Sequence, residues 1–193
     1  MGVERGKVNY LLFLLTEDYI EQHKKIAEGL APLWDGFADK IGGVATFVRP
    51  TRGREQSTLD DALTKGFTHD QEEQIRNSLP ALLIIDIDYD EFDARLHKFL
   101  SISLRDSMDD TGDVKVFELK KLLDELLLGA SANDLFAMAE SYFKAQSRKS
   151  GAKAGWDMIE AKPGIYGFSL NLKKGVEFLS SLRKGKHNIL SNQ

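Results

Sequence analysis

Four aspartates follow a fully apolar run, residues 81–85, and form a compact acidic cluster. The cluster comprises Asp86, Asp88, Asp90 and Asp93. Carboxylate oxygens are the ligands that hard cations such as Mg²⁺ and Mn²⁺ prefer. An EF-hand calcium loop would need glycine and glutamate where this chain has Glu91 and His97, so that motif is excluded. Asp86, Asp88 and Asp90 therefore predict, as an alternative function, a metal-dependent phosphoester enzyme. A solvated turn at a strand end would explain them without any function.

A second candidate site is an arginine-rich loop that follows the predicted strand 44–48. Guanidinium groups bind phosphate and carboxylate through paired hydrogen bonds. In an α/β sheet this loop lies near the end of the first strand, so the two segments are expected to form one binding edge. The predicted ligand- or partner-binding residues are Thr16, Tyr19, Arg49, Arg52, Arg54 and Pro80. The simpler interpretation of the arginines is an exposed polar loop.

Several classes of chemistry are excluded by residues that the chain lacks. It contains no cysteine, which removes disulfides, thiolate zinc sites and thiol nucleophiles. It has no Gly-x-Ser-x-Gly nucleophile motif and no glycine-rich phosphate-binding loop. Any catalysis must therefore use oxygen or nitrogen groups. The sequence favours a role without catalysis and without a cofactor, and it leaves the question of an enzyme open.

The composition is that of a folded protein with its own core. The chain has 193 residues, of which 42% are hydrophobic and 29% charged, and this length suits one domain with an added subdomain. The apolar run at residues 8–15 is too short to cross a bilayer and continues into Glu17 and Asp18. We expect a buried strand there, a cytoplasmic location and no membrane partner.

Charge is distributed unevenly along the chain. Residues 129–193 carry 10 of the 26 lysines and arginines but only 5 of the 30 acidic residues. A basic segment on an acidic body is explained by complementarity within the molecule or by an anionic partner. The second explanation predicts an anion-binding adaptor, with nucleic acid as a less favoured partner. The residues that would act are Lys144, Arg148, Lys149 and Lys153.

The elements that must position these residues follow from hydrophobic spacing. Apolar runs of strand length predict four strands, at 8–15, 44–48, 81–86 and 99–104, the last with one polar face. Spacings of three and four predict helices at 20–41, 68–78, 114–128 and 131–146. Thr16 is the expected N-cap of the first helix, His23 lies on its apolar face, and Pro32 is expected to kink or divide it. Residues 49–65 are expected to be irregular before the second of these helices.

The C-terminal part is predicted to contain a linker, a strand and a helix. Residues 147–155 are small, basic and without periodicity, which is typical of a linker. A strand is predicted at 165–170, and Asn171 is expected to cap the helix that follows. The helices at 114–128 and 131–146 are rich in leucine, phenylalanine and methionine. They are expected either to pack on the sheet or to form an interface with a protein partner or a second copy of the chain.

The order of these elements resembles the thioredoxin-like fold superfamily. In that family a βαβ unit is joined to a ββα unit, and a proline, commonly cis, precedes the third core strand, as Pro80 does here. The family's Cys-x-x-Cys position corresponds to residues 16–19, where no cysteine is present. The resemblance therefore implies a non-redox interaction or ligand-binding module on residues 1–129, followed by an extension at 130–193.

A doubly wound Rossmann-like sheet is the competing architecture. The direction of the third strand separates the two. An antiparallel third strand would put Asp86 at the opposite end of the sheet from the arginine loop, whereas a parallel strand would bring both to one end.

Overall fold

One mixed sheet organises the part of the chain that the computed structural model describes, residues 10–50, 54–131, 135–136, 158–159, 167–177 and 179–180. Its strands are β1 (Tyr10–Leu15), β2 (Ala45–Val48), β3 (Ala81–Ile85), β4 (Phe99–Ser103), β5 (Met158–Ile159) and β6 (Gly167–Asn171). Within these described ranges the strand order is β2-β1-β3-β4-β6-β5. The first four lie where the apolar runs predicted them, and β6 corresponds to the predicted strand at 165–170.

The direction of the strands determines which residues meet at each end of the sheet. β1 is parallel to β2 and antiparallel to β3, and β3 is antiparallel to β4. The prediction that the third strand runs opposite to the first is therefore confirmed. The doubly wound alternative is wrong, since its central strands would have to be parallel. Leu15 at the end of β1 pairs with Ala81 at the start of β3.

Five α-helices precede β5 in the described part of the chain, with a short 3₁₀ turn at Arg105–Ser107. They are α1 (Glu21–Ala27), α2 (Ala31–Ile41), α3 (Glu55–Leu63), α4 (His69–Ser78) and α5 (Val116–Ser131). Pro32 lies in the first turn of α2, where its missing amide hydrogen is not required by the helix. The predicted division of the 20–41 helix at Pro32 is confirmed.

Two local predictions are wrong. The segment 49–65 contains α3, whose Leu59, Ala62 and Leu63 are buried against the sheet. The residue that precedes α1 as its N-cap is Ile20, not Thr16. The side chain of Thr16 is instead buried beyond the end of β1, too far along the chain to reach the first turn of that helix.

Side chains on alternate positions of β1 supply two hydrophobic cores. Leu12 and Leu14 lie in the core beneath α2 and α5, whereas Phe13 and Leu15 lie in the core beneath α3 and α4. All five residues of β4 are buried. The predicted polar face of β4, formed by Ser101 and Ser103, is present. It is buried and faces α4.

The C-terminal part of the chain extends the same sheet. β6 pairs in parallel with β4, and β5 pairs antiparallel with β6. The Oδ1 atom of Asn171 accepts a hydrogen bond from the amide of Lys174 at 2.9 Å, which confirms the predicted cap of the helical segment 172–177. The predicted linker at 147–155 and most of the predicted helix at 131–146 lie outside the described residues, and the division at residues 129 and 130 stays a prediction.

Candidate binding edge of the sheet

The ends of β1 and β2 and the start of β3 lie at one edge of the sheet, which we call the binding edge. Phe13 of β1 pairs with Val48 of β2, so Thr16 and Arg49 both leave the sheet at this end. Pro80 enters β3 beside them, after a cis Leu79–Pro80 peptide bond. Of the other predicted residues, Tyr19 follows β1 and Arg54 precedes α3, whereas Arg52 lies outside the described residues.

Tyr19 is the exposed aromatic residue of the binding edge. Its side chain is 71% exposed, and its hydroxyl donates a hydrogen bond to the Glu17 carboxylate at 2.7 Å. That hydrogen bond is the main reason why the pKa of the Tyr19 hydroxyl is raised. The hydrogen bond to Glu17 thus holds the Tyr19 ring at the surface.

His23 joins two segments of the binding edge and is almost completely buried. Its Nδ1 atom accepts a hydrogen bond from the backbone amide of Glu17 at 3.1 Å, and the ring is also hydrogen-bonded to the backbone of Leu79. Burial lowers the pKa of His23, and the positive charge of Arg105 acts in the same direction, although the Glu17 carboxylate opposes them. A neutral His23 therefore links the segment after β1 to the residue before Pro80.

The hydroxyl of Thr16 is a buried polar group at this edge. Thr16 is buried, and its Oγ1 atom has no hydrogen-bond partner in the described part of the chain. Buried polar atoms without partners are uncommon in folded proteins. This hydroxyl is a candidate contact for a ligand or partner group that reaches the strand end.

Arg49 contacts α2, not Thr16 or Tyr19. One guanidinium nitrogen lies 3.2 Å from a carboxylate oxygen of Asp35, and another donates to the Ala31 carbonyl at 3.4 Å. This side chain borders a cleft of about 500 Å³, which we call the Arg49 cleft. Its lining residues are Ala27, Glu28, Ala31, Asp35, Ala38, Phe47, Arg49 and Pro50. The expectation that Arg49 approaches Thr16 and Tyr19 is not met, because Asp35 holds it on the α2 side.

Two other arginines supply positive charge to the residues of the binding edge. Arg76 of α4 forms an ion pair with Asp60 at 3.0 Å and lowers the pKa of the Tyr19 hydroxyl, against the larger effect of Glu17. Arg105 donates to the carbonyl of Asn77 at 2.7 Å, and its charge acts on His23. The sequence did not indicate either arginine, because both are distant in the chain from the loop at 49–54.

The aspartate cluster lies at the opposite end of the sheet. Asp86 follows Ile85, which pairs with Leu11 near the start of β1. The described residues contain no group of three or more histidine or acidic side chains that could hold a metal ion. Asp93 instead pairs with Arg95, whose hydrogen bonds lower the pKa of the Asp93 carboxyl to about 2.

Among the described residues, no group of converging ligands forms around the aspartates of the alternative Mg²⁺ or Mn²⁺ site. Asp86, Asp88 and Asp90 are all exposed. The carbonyl of Asp88 accepts a hydrogen bond from the amide of Glu91 at 3.0 Å, as expected for the solvated turn that was the simpler interpretation.

The apolar side chains of α5 are relevant to the interface predicted for the helices at 114–146. On α5, Phe117 and Leu128 are exposed, whereas Leu119, Leu122 and Leu126 are buried in the core beneath that helix. Packing on the sheet thus accounts for most of the apolar surface of α5. None of the described helices is long and apolar enough to cross a membrane.

Comparison of the chain with protein-family models, with curated proteins and with solved structures finds no match.

Proposed function

We propose that the protein is a non-redox binding module of thioredoxin-like arrangement that binds a protein partner through the binding edge. The observation that carries this proposal is strand direction: β3 runs antiparallel to β1 while β2 runs parallel to it. This arrangement supports the proposal because Tyr19, Arg49 and Pro80 adjoin strand ends at the same end of the sheet, with the Arg49 side chain turned toward Asp35 on the α2 side. It is also the arrangement expected for a βαβ unit joined to a ββα unit.

The residue types at this edge support recognition of a protein. Tyrosine and arginine are enriched among the residues that dominate binding energy at protein interfaces. Tyr19 is exposed, and the charges of Arg76 and Arg105 act on Tyr19 and His23 respectively. Since His23 bonds to both Glu17 and Leu79, the backbone beneath Tyr19 is ordered before a partner binds, which lowers the entropy cost of association.

Site-specific photo-crosslinking tests the proposal. A photoreactive phenylalanine analogue is placed at Tyr19 in one variant and at Leu96 in another, and both are irradiated in the cells that make the protein naturally. Leu96 is the matched control, because its side chain is 66% exposed but follows β3 at the opposite end of the sheet. We expect a discrete protein adduct from position 19 only, and we expect Arg105→Ala to weaken it.

The proposal fails if position 19 gives no protein adduct, or if positions 19 and 96 give the same adducts. The anion-binding function of Lys144, Arg148, Lys149 and Lys153 stays a prediction, since these residues lie outside the described part of the chain. Self-association through the helices at 114–146 and a cytoplasmic location also stay predictions.

A further inference from the structure

A second cleft of about 330 Å³ lies on the other side of the sheet from the Arg49 cleft, between α4 and the ends of β4 and β6. We call it the α4 cleft. Its lining residues are Gln74, Asn77, Ser78, Ser103, Leu170, Asn171 and Lys174. Six of these seven described residues are polar, and none of the seven is a carboxylate.

The side-chain oxygens of the α4 cleft differ in whether the described residues supply them with a hydrogen-bond donor. The hydroxyl of Ser78 donates to the Ile75 carbonyl at 2.8 Å, and the hydroxyl of Ser103 donates to the Ser78 carbonyl at 2.6 Å. The Oγ atom of Ser103 also accepts a hydrogen bond from the backbone amide of Arg105 at 3.4 Å. Each hydroxyl has only one hydrogen to donate, and Ser78 Oγ has no donor among the described residues, so it can accept one from a ligand. The Oε1 atom of Gln74 is buried and has no hydrogen-bond partner within the described ranges.

Donors are present in the same cleft. The Oδ1 atom of Asn171 accepts the Lys174 amide, which leaves the NH₂ group of Asn171 to donate elsewhere. The hydrogen bond between Asn77 and Arg105 uses the backbone carbonyl of Asn77, not its side chain. Donors and acceptors thus line the same small space.

Beneath the α4 cleft, the buried face of β4 also carries a polar side chain. Ser101 lies two residues before Ser103, on the same face of the strand, and is fully buried. Its Oγ atom has no hydrogen-bond partner in the described part of the molecule. On the opposite face of β4, Leu100 and Ile102 pack in an apolar core. The hydroxyl groups therefore belong to the α4 side of the strand alone.

We propose that the α4 cleft binds a small, neutral, hydroxyl-rich ligand of the monosaccharide or polyol class. A hydroxyl group both donates and accepts, so such a ligand can donate to Ser78 Oγ and accept from the side-chain amide groups of Gln74 and Asn171. The cleft lies at the lower end of the usual volume range of small-molecule sites, roughly 300–1,000 Å³. The site lies on the α4 side of the sheet, and its existence does not depend on the proposed partner function.

Heteronuclear NMR titration of the full chain tests this site. The probes are D-glucose, D-galactose, D-ribose, myo-inositol and glycerol, with sodium acetate and inorganic phosphate as anionic comparisons. We expect saturable shifts of the amides of Ser103, Asn171 and Lys174 with at least one hydroxyl-rich probe, and none with the two anions. Gln74→Leu should weaken that binding by about tenfold or more, as expected for the loss of one buried hydrogen bond.

Two further variants distinguish a loss of binding from a loss of folding. Asn77→Ala removes an exposed lining side chain and should also weaken binding. Gln22→Leu changes an exposed glutamine of α1, away from the cleft, and should leave binding unchanged. The proposal is overturned if all five hydroxyl-rich probes fail to saturate, if the anions shift the same amides, or if Gln74→Leu and Asn77→Ala bind as tightly as the original chain.

Discussion

The imidazole of His23 accepts a hydrogen bond from the backbone amide of Glu17, with 3.1 Å between Nδ1 and the amide nitrogen. A protonated imidazole cannot accept this bond, because both of its nitrogens then carry hydrogen. This hydrogen bond to the segment that follows β1 is therefore present only while His23 is neutral. The hydrogen bond between the same ring and the backbone of Leu79 favours the protonated form, so protonation would break the bond to Glu17 and keep the bond to Leu79.

The stability of the protein should depend on pH through His23. Burial lowers the pKa of this side chain below its ordinary 6.5, so the unfolded chain takes up the proton at a higher pH than the folded chain. The contribution of His23 to the free energy of unfolding is then fully present above about pH 6.5 and decreases as the pH falls toward the lower pKa of the folded state. Urea unfolding at a series of pH values measures this slope.

His23→Gln should flatten the slope, since glutamine does not titrate in this range. His69→Gln is the matched control, because His69 is exposed, and it should keep the original slope. Equal slopes for the original chain and for His23→Gln would show that His23 is not responsible.

Ser101 and Ser103 should respond oppositely to the same substitution. Ser103→Ala removes the donor to the Ser78 carbonyl and leaves a buried acceptor unpaired, so it should lower the free energy of unfolding by about 1–3 kcal/mol. Ser101→Ala removes a buried hydroxyl that has no described partner, so it should be neutral or stabilising. Chemical denaturation of both variants measures the difference, and a larger loss for Ser101→Ala would contradict the described hydrogen bonds.

Gly36 and Gly66 form a second matched pair. Gly36 lies exposed within α2, and a Cβ atom there would meet nothing within 4 Å. Gly36→Ala should therefore stabilise the protein by about 0.5–1 kcal/mol, because alanine loses less backbone entropy than glycine in a helix. Gly66 has φ +79°, and a Cβ atom there would lie 2.1 Å from a carboxylate oxygen of Asp93.

Gly66→Ala should thus be destabilising by more than about 1 kcal/mol, since its backbone conformation is unfavourable for alanine and Asp93 is held by Arg95. Thermal unfolding of the two variants should give melting temperatures on opposite sides of that of the original chain. A Gly66→Ala variant as stable as the original would indicate that the turn before α4 adopts another conformation.

The sequence predicted the strands of the first two thirds of the chain well, because each is a short apolar run bounded by polar or turn residues. It missed α3, since Leu59, Ala62 and Leu63 are the main apolar residues in a segment that is otherwise polar. A pattern made of only three apolar residues is a weak signal for a helix.

The candidate site was only partly predictable for a different reason. Strand order and direction, once inferred, placed Thr16, Arg49 and Pro80 at one edge. The interactions of His23 with Leu79 and the positions of Arg76 and Arg105 depend on segments that are distant in sequence, and no local pattern encodes them. The buried serines of β4 were recognised as a polar face, but that this face lies beneath α4 follows only from helix packing.

The parallel pairing of β4 with β6 joins Phe99 to Gly167, across a long intervening stretch of chain. During synthesis the backbone amides and carbonyls on that side of β4 have no strand to pair with until residues 167–171 leave the ribosome. An emerging chain of this kind presents an open β-edge, which is a template for pairing with other chains. The sheet is therefore completed late in the synthesis of the chain, and premature termination between β4 and β6 would yield a product prone to aggregate.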